Sequence, residues 1–282
     1  MLSNIKKNTY VMQILTLMSG TLIAQAIMLL SIPIITRLYT TTEFGLYALF
    51  ISITNIVGNI SSLKYDQAIM LAKREKDEHA LLFLSSFITV IISLISFIII
   101  LIFDIFIKEY FNGSNIIYLI PIGILLIGLV QIFNAYSSKK QFYKAMAKAR
   151  SFNAINISVI QISTKYFANF NGLVLGKILA DLFTVFYFIR FHWKKNTLQI
   201  KSISKRRIEF NIKRHKNFPK YQTGTVFLNS ISQNMPILLL GYFYSTEVAG
   251  LYALTIRVLQ TPVGLIGSST REVFYQNASK LY

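Results

Sequence analysis

Eight apolar stretches of about 20 residues dominate the chain and restrict it to few folds. A bilayer core about 30 Å thick takes roughly 20 apolar residues as an α-helix, whereas the strands of a membrane barrel alternate polar and apolar residues over about ten positions. We therefore predict an all-α polytopic membrane protein with eight transmembrane helices. The stretches cover residues 12–35, 44–63, 80–103, 116–135, 151–169, 171–191, 223–243 and 248–268.

The composition agrees with a membrane protein. Hydrophobic residues make up 54% of the chain and charged residues only 14%, whereas charged residues make up about 25% of an average soluble domain. A soluble domain this apolar would expose large hydrophobic patches and aggregate. The fifth stretch is the weakest candidate for a crossing, because polar side chains interrupt it, namely Asn153, Asn156, Gln161 and Lys165.

The positions of the 29 Lys and Arg residues predict a topology. If the N-terminus is cytoplasmic and the chain crosses eight times, 24 of them lie on the cytoplasmic side and three, Arg37, Lys108 and Lys165, lie outside. Loops rich in Lys and Arg stay in the cytoplasm, so we predict that both chain ends are cytoplasmic. The net charge of +18 then indicates anionic head groups of membrane lipids as partners, and nucleic acid is not expected as one.

A repeated segment predicts the arrangement of the helices. YTTTEFGLYAL (39–49) returns as YSTEVAGLYAL (244–254), with seven of eleven positions identical. Both copies lie in predicted outside loops, lead into an inward helix and are six crossings apart, as in parallel repeats of six helices. We predict a six-helix lobe (1–191), a basic cytoplasmic connector (192–222) and a truncated second lobe of two helices (223–282).

No motif of enzyme chemistry is present. The sequence has no glycine-rich phosphate loop, no HExxH and no GxSxG, so we expect no catalytic residue and no enzymatic activity. The chain has no cysteine, and the spacing of His79, His192 and His215 suits no zinc site. We expect these histidines to be solvated loop residues, with no metal site and no cofactor.

Ionisable residues inside predicted crossings are the best candidates for function, because each costs several kcal/mol unless it is paired or hydrated. Arg257 lies near the middle of the eighth stretch and makes either a structural contact or a cavity site for phosphate or acidic sugar. Lys177 and Asp181 lie four residues apart on one helix face. They form either a self-neutralising pair or a cavity site for a proton or sodium ion, with Asp181 as the ion-coupling candidate.

Neutral polar residues give a weaker signal. Gln25 lies in the first stretch, and Asn55 and Asn59 lie one helical turn apart in the second. Such side chains form hydrogen bonds between membrane helices, and a hydrated path for sugar would use the same residue types. We include these three residues among the candidates that line a cavity.

Several segments resemble a known family. The runs RLYTTTEFGLYAL (37–49), SLKYDQAIMLAKREKDEHALLFLSS (62–86) and REVFYQNASKLY (271–282) are similar to those of polysaccharide biosynthesis proteins. These are the O-antigen flippases (Wzx type) of the superfamily that also holds the MATE drug exporters. The resemblance implies twelve to fourteen helices in two lobes around a cavity with cationic residues, for which Arg257 and Lys177 are candidates.

The same resemblance implies a function. Such proteins move undecaprenyl-diphosphate-linked oligosaccharide to the outer leaflet of the bacterial inner membrane by alternating access, driven by an ion gradient, for O-antigen or capsule. The lipid-linked oligosaccharide and the polysaccharide polymerase machinery are then the expected partners. Helices 9 to 12 of such a protein are not present, so we expect a truncated form.

Two other functions compete with this interpretation. A MATE-like exporter of cationic drugs should have an acid-rich cavity, but Asp181 is the only carboxylate deep in a predicted crossing and it lies beside a lysine. A membrane-embedded polymerase or glycosyltransferase should show a large outside loop or a loop of catalytic carboxylates, and neither is visible. We therefore favour the flippase.

Overall fold

The computed structural model describes residues 2–167, 171–198 and 204–259, and all regular structure in these ranges is helical. Short 3₁₀ turns at Ile69–Leu71 and Asn115–Leu119 and a π-helical turn at Phe218–Gln222 accompany the α-helices. The α-helices are α1 (Leu2–Leu38), α2 (Thr41–Gly58), α3 (Tyr65–Ala68), α4 (Glu75–Ile102), α5 (Asp104–Tyr110), α6 (Ile120–Lys139), α7 (Tyr143–Phe167), α8 (Gly172–Lys194), α9 (Lys205–Arg214), α10 (Thr223–Phe243) and α11 (246–259).

Four helical segments of the described chain are long and apolar enough to cross a membrane. They correspond to the first, third, fourth and sixth predicted stretches. The other predicted stretches coincide with α2, α7, α10 and α11, whose described residues do not reach the same combination of length and hydropathy. The count of eight crossings therefore stays a prediction. The four segments are Thr16–Leu38, Glu75–Ile102, Asn115–Lys139 and Gly172–Lys194.

Helix α6 lies at the centre of the bundle, where small residues let its neighbours approach closely. A Cβ at Gly123 would overlap the side chain of Thr54 on α2, and one at Gly128 would overlap Ser61 and Thr89. Small residues at helix contacts are typical of membrane bundles, because close backbone approach increases van der Waals packing. Helices α2, α4 and α8 pack against α6, and helices α1 and α8 pack against α7.

The last two helices lie beside α2. Gly241 of α10 packs on Leu49 in the middle of α2, and Ser230 bonds Asn59 just beyond the C-terminal end of α2. The later residue of α10 thus contacts the earlier residue of the α2 segment, so these two helices are antiparallel. α11 follows α10 after a turn at 244–245, so it runs in the same general direction as α2.

The basic loops gather at one end of the bundle. Lys140 contacts both Glu75 and Glu78 at 2.9 Å, and Arg207 of α9 contacts Asp77 at 3.2 Å. We call this end, formed by segments 59–78, 139–150, 190–198 and 204–220, the basic end. The opposite end, with the first turns of α2 and α11, is the far end.

Several helix boundaries differ from those of the predicted stretches, and α7, for example, begins at Tyr143 rather than at residue 151. The second apolar stretch continues to residue 63, but α2 ends at Gly58. The chain then turns through left-handed conformations at Leu63 (φ 48°) and Lys64 (φ 61°) into the buried α3. Segment 104–115, predicted as a loop, contains the helix α5.

The prediction of solvated histidines was wrong, because His79, His192 and His215 are all buried. The Nε2 atom of His79 lies 2.7 Å from the carbonyl oxygen of Thr197. His192 lies between the hydroxyls of Ser137, at 2.9 Å, and Thr197, at 3.0 Å. Position in a basic loop suggested exposure, but these loops fold back onto the helix ends and bury the rings.

Candidate functional site

Two charged side chains inside the bundle are paired on α8. Lys177 Nζ lies 2.6 Å from Asp181 Oδ2, and Asn153 Nδ2 of α7 donates to Asp181 Oδ1 at 3.0 Å. The same amide donates to Thr184 at 2.9 Å. At a rise of about 1.5 Å per residue, Lys177 and Asp181 lie about 8 and 14 Å from the start of α8.

The two members of this pair differ in accessibility. The Asp181 side chain is 6% exposed, whereas the Lys177 side chain is 22% exposed. Tyr47 of α2 lies within electrostatic range of the lysine. A charge in an apolar interior is tolerated only when it is paired and hydrogen-bonded, and Asp181 satisfies this requirement through Lys177 and Asn153. The accessible charge of the site is therefore the ammonium group.

Asn59 holds three helices together. Gln131 Nε2 of α6 donates to Asn59 Oδ1 at 2.7 Å, and Asn59 Nδ2 donates to Ser230 Oγ of α10 at 3.2 Å. Asn55, one turn earlier on α2, is half-buried. Asn59 therefore takes part in a polar junction between α2, α6 and α10.

Gln25 and Arg257 lie on helices at the two ends of the described chain. Gln25 is on α1, and its Oε1 atom is buried with no hydrogen-bond partner among the described residues. Leaving an acceptor unsatisfied costs about 1–3 kcal/mol, so this atom is a place for a water or a ligand hydroxyl. Arg257 is half-buried about 16 Å along α11 and has an interaction partner.

Of the candidate residues, the structure joins Lys177 and Asp181 directly. Sequence reasoning missed Asn153, which it treated only as a polar interruption of the fifth stretch. A signal was present, because an amide in an apolar stretch needs a partner and a buried carboxylate needs donors. Among the described residues, no group of His, Cys, Asp and Glu side chains could hold a metal ion.

The two copies of the repeated segment contact each other at the far end. A Cβ at Gly45 would overlap the backbone carbonyl of Thr246, and a Cβ at Gly250 would overlap the carbonyl of Thr41. Gly45 and Gly250 hold the same position in the two copies, as do Thr41 and Thr246. The contact is therefore reciprocal, and we call it the repeat contact.

Both copies also begin their helices in the same way. Thr40 Oγ1 accepts a hydrogen bond from Glu43 N at 3.2 Å, and Ser245 Oγ accepts one from Val248 N at 3.2 Å. Such a hydroxyl caps the first turn of a helix. The repeated pattern thus encodes a capped helix start followed by a glycine that permits close approach of a second backbone.

Comparison with known proteins identifies one family. A family model described as "Polysaccharide biosynthesis protein" matches residues 34–282. The matched region includes both copies of the repeated segment and all helices from α2 onward. No curated protein and no solved structure matches the chain.

Proposed function

Because the chain belongs to the polysaccharide biosynthesis protein family, we propose that it is a flippase for lipid-linked sugar. It moves undecaprenyl-diphosphate-linked oligosaccharide from the cytoplasmic to the outer leaflet of the bacterial inner membrane, for O-antigen or capsule synthesis. No bond of the substrate is made or broken, so the protein acts as a transporter and not as an enzyme.

The observation that carries this proposal is the ammonium group of Lys177 inside an apolar bundle. A substrate with a diphosphate needs a cation along its path, because a bare anion in hydrocarbon is costly. Lys177 supplies that cation from within α8, and the ion pair with Asp181 holds it in place when no substrate is present. An exporter of cationic drugs would instead need the carboxylate to be the accessible group.

Asp181 also provides a route for ion coupling. A proton or sodium ion that binds Asp181 competes with Lys177 for the carboxylate, so its binding and release change the charge that the pair presents to the substrate. We propose that this exchange couples translocation to an ion gradient, with Arg257 of α11, Asn55 and Gln25 as further polar contacts along the path.

The architecture that we propose is a bundle of eight crossings, with α10 and α11 as the start of a second, parallel repeat. The reciprocal contact of Gly45 and Gly250 supports this arrangement. A two-fold axis that relates two helices running in the same direction must lie along them, and thus along the membrane normal. Both chain ends then lie in the cytoplasm.

The basic end provides the proposed contacts with other molecules on the cytoplasmic side. Exposed basic side chains of α9 include Lys205, Arg206 and Lys213, and such clusters attract anionic lipid head groups. The polysaccharide polymerase machinery is the expected protein partner, because it consumes the translocated sugar units.

Deletion of the gene from the source bacterium tests the function. We expect surface polysaccharide to disappear and lipid-linked oligosaccharide to accumulate, with both reversed by the wild-type gene. A polymerase deletion would instead leave single sugar units at the surface. Loss of a drug exporter would leave polysaccharide unchanged and raise drug sensitivity, so either of these patterns would contradict the proposal.

A further inference from the structure

We propose that the repeat contact is the gate that closes the transport path at the far end, and that it separates each time a sugar unit leaves. This inference rests on the proposed function. It assigns a specific conformational role to Gly45, Gly250, Thr41 and Thr246, which otherwise serve only as markers of an internal repeat.

The geometry makes the repeat contact a tight seal. Each glycine lies so close to a carbonyl of the other copy that even a methyl group would not fit. A sugar ring is far larger than a methyl group and cannot pass between α2 and α11 while this contact is closed. Thr246 and Ala249 are buried at the same point, so the seal also excludes water.

The bonds across this contact are ones that water can replace. Thr41 Oγ1 donates to Glu247 Oε1 at 3.0 Å in an exposed position, and Asn112 Nδ2 of the preceding lobe donates to Thr246 Oγ1 at 2.7 Å. The net contribution of such a bond is small where the groups are exposed, because water competes for them. No ion pair between described residues crosses the repeat contact.

Contacts within the first lobe at the same end are stronger. Lys165 of α7 forms an ion pair with Glu43 of α2 at 2.9 Å, and Asn171 Nδ2 donates to the Glu43 carbonyl at 2.7 Å. The far end is therefore fastened by an ion pair inside the lobe and by hydrogen bonds between the lobe and α11. When the two parts move, the repeat contact is the place where they part.

Reciprocity gives the gate a further property. Because each copy contributes the same elements, a glycine and a carbonyl in the first two turns of a capped helix, the surface is self-complementary. Close packing of this kind has one well-defined closed position rather than a range of them. The two helices can separate and return without any change within either helix.

The absence of native cysteine allows a direct test by cross-linking. The double variant Thr41→Cys/Glu247→Cys places thiols across the repeat contact, and a short, reducible bis-thiosulfonate reagent joins them. Glu43→Cys/Lys165→Cys is the matched control, since it joins α2 to α7 at the same end without crossing the gate. Each variant replaces the wild-type gene in the deletion strain, and newly displayed surface polysaccharide is measured.

We expect cross-linking of Thr41→Cys/Glu247→Cys to lower new display at least tenfold, reductant to restore it, and the control to keep display after cross-linking. Unchanged display in the cross-linked variant would overturn the gate. If that variant supports no display before cross-linking, Asn112→Cys/Thr246→Cys spans the same contact and decides the question. If the wild-type gene itself restores no display, the proposed function fails instead.

Discussion

Lys177 and Asp181 form an ion pair of 2.6 Å in which the carboxylate is almost fully buried and the lysine is partly accessible. Asn153 completes the bonding of the carboxylate from the neighbouring helix. Because the pair is neutral as a unit, it can remain in an apolar bundle. The more exposed position of the lysine is the feature on which the proposed binding of an anion rests.

Replacing Lys177 by Met should therefore be strongly destabilising. Breaking a buried ion pair by removal of one partner costs about 3–5 kcal/mol, because it leaves an uncompensated charge. Thermal unfolding in detergent measures this loss, and surface polysaccharide should fall with it. Lys194→Met, at an exposed position on the same helix, is the control and should change neither property.

The double variant Lys177→Met/Asp181→Leu separates stability from transport. With both charges removed, most of the lost stability should return, since apolar replacements of a buried pair are often neutral or stabilising. The proposal predicts that display stays at least tenfold below wild type, because no cation remains on the path. Full recovery of display would mean that the pair serves only the fold.

The glycines of the repeat contact should not tolerate a methyl group. Gly45→Ala and Gly250→Ala each place a Cβ against a backbone carbonyl that cannot move aside easily, and overpacking of this kind costs about 1–3 kcal/mol. We expect each variant to display less polysaccharide. Gly224→Ala on α10 meets open space and is the matched control. A loss equal to that of Gly45→Ala in this control would contradict the explanation.

Single cysteines test the topology in intact cells. Lys216→Cys lies at the basic end and Glu109→Cys lies at the far end, and both positions are exposed. If the basic end is cytoplasmic, a membrane-impermeant maleimide should label Glu109→Cys from outside and should label Lys216→Cys only after the cells are opened. The reverse pattern would overturn the predicted orientation.

His215 should make the fold sensitive to mild acid. Burial, and secondly the charge of Arg214, hold the pKa of His215 below its ordinary value, although Asp77 acts in the opposite direction. The unfolded chain takes up this proton below about pH 6.5, whereas the folded chain resists it. The contribution of His215 to stability is therefore complete above that pH and is lost as the pH falls through the lower folded pKa.

Thermal unfolding in detergent between pH 7.5 and 5.5 measures this effect. The melting temperature of the wild-type protein should fall over this range, and that of His215→Gln should fall less steeply. Equal slopes for the two proteins would show that His215 does not contribute to the pH dependence.

The helices were largely predictable from the sequence, because a long apolar stretch in a membrane has few alternatives to a helix. Boundaries were less predictable where polar loops fold back. Residues 59–63 belong to the second predicted stretch, but the chain leaves the helix before them and makes left-handed turns at Leu63 and Lys64. The end of α2 is set by the packing of α3 against α4 and α6. No local sequence pattern encodes this tertiary contact.

The site was predictable only in part. The spacing of Lys177 and Asp181 placed them on one face, which is a local property of a helix. The bond from Asn153 and the junction of Asn59 with Gln131 and Ser230 depend on which helices become neighbours. The burial of His79 and His192 has the same origin, since it depends on the docking of the connector onto the helix ends.

The measurement that tests the central claim most directly is the sidedness of the lipid-linked sugar. Inverted inner-membrane vesicles expose the cytoplasmic leaflet, and radiolabelled nucleotide sugars added to them produce labelled lipid-linked oligosaccharide on that surface. With the protein present, we predict that the label becomes protected from added glycosidase over time, whereas in vesicles from the deletion strain it stays accessible. Equal accessibility in both preparations would contradict the account.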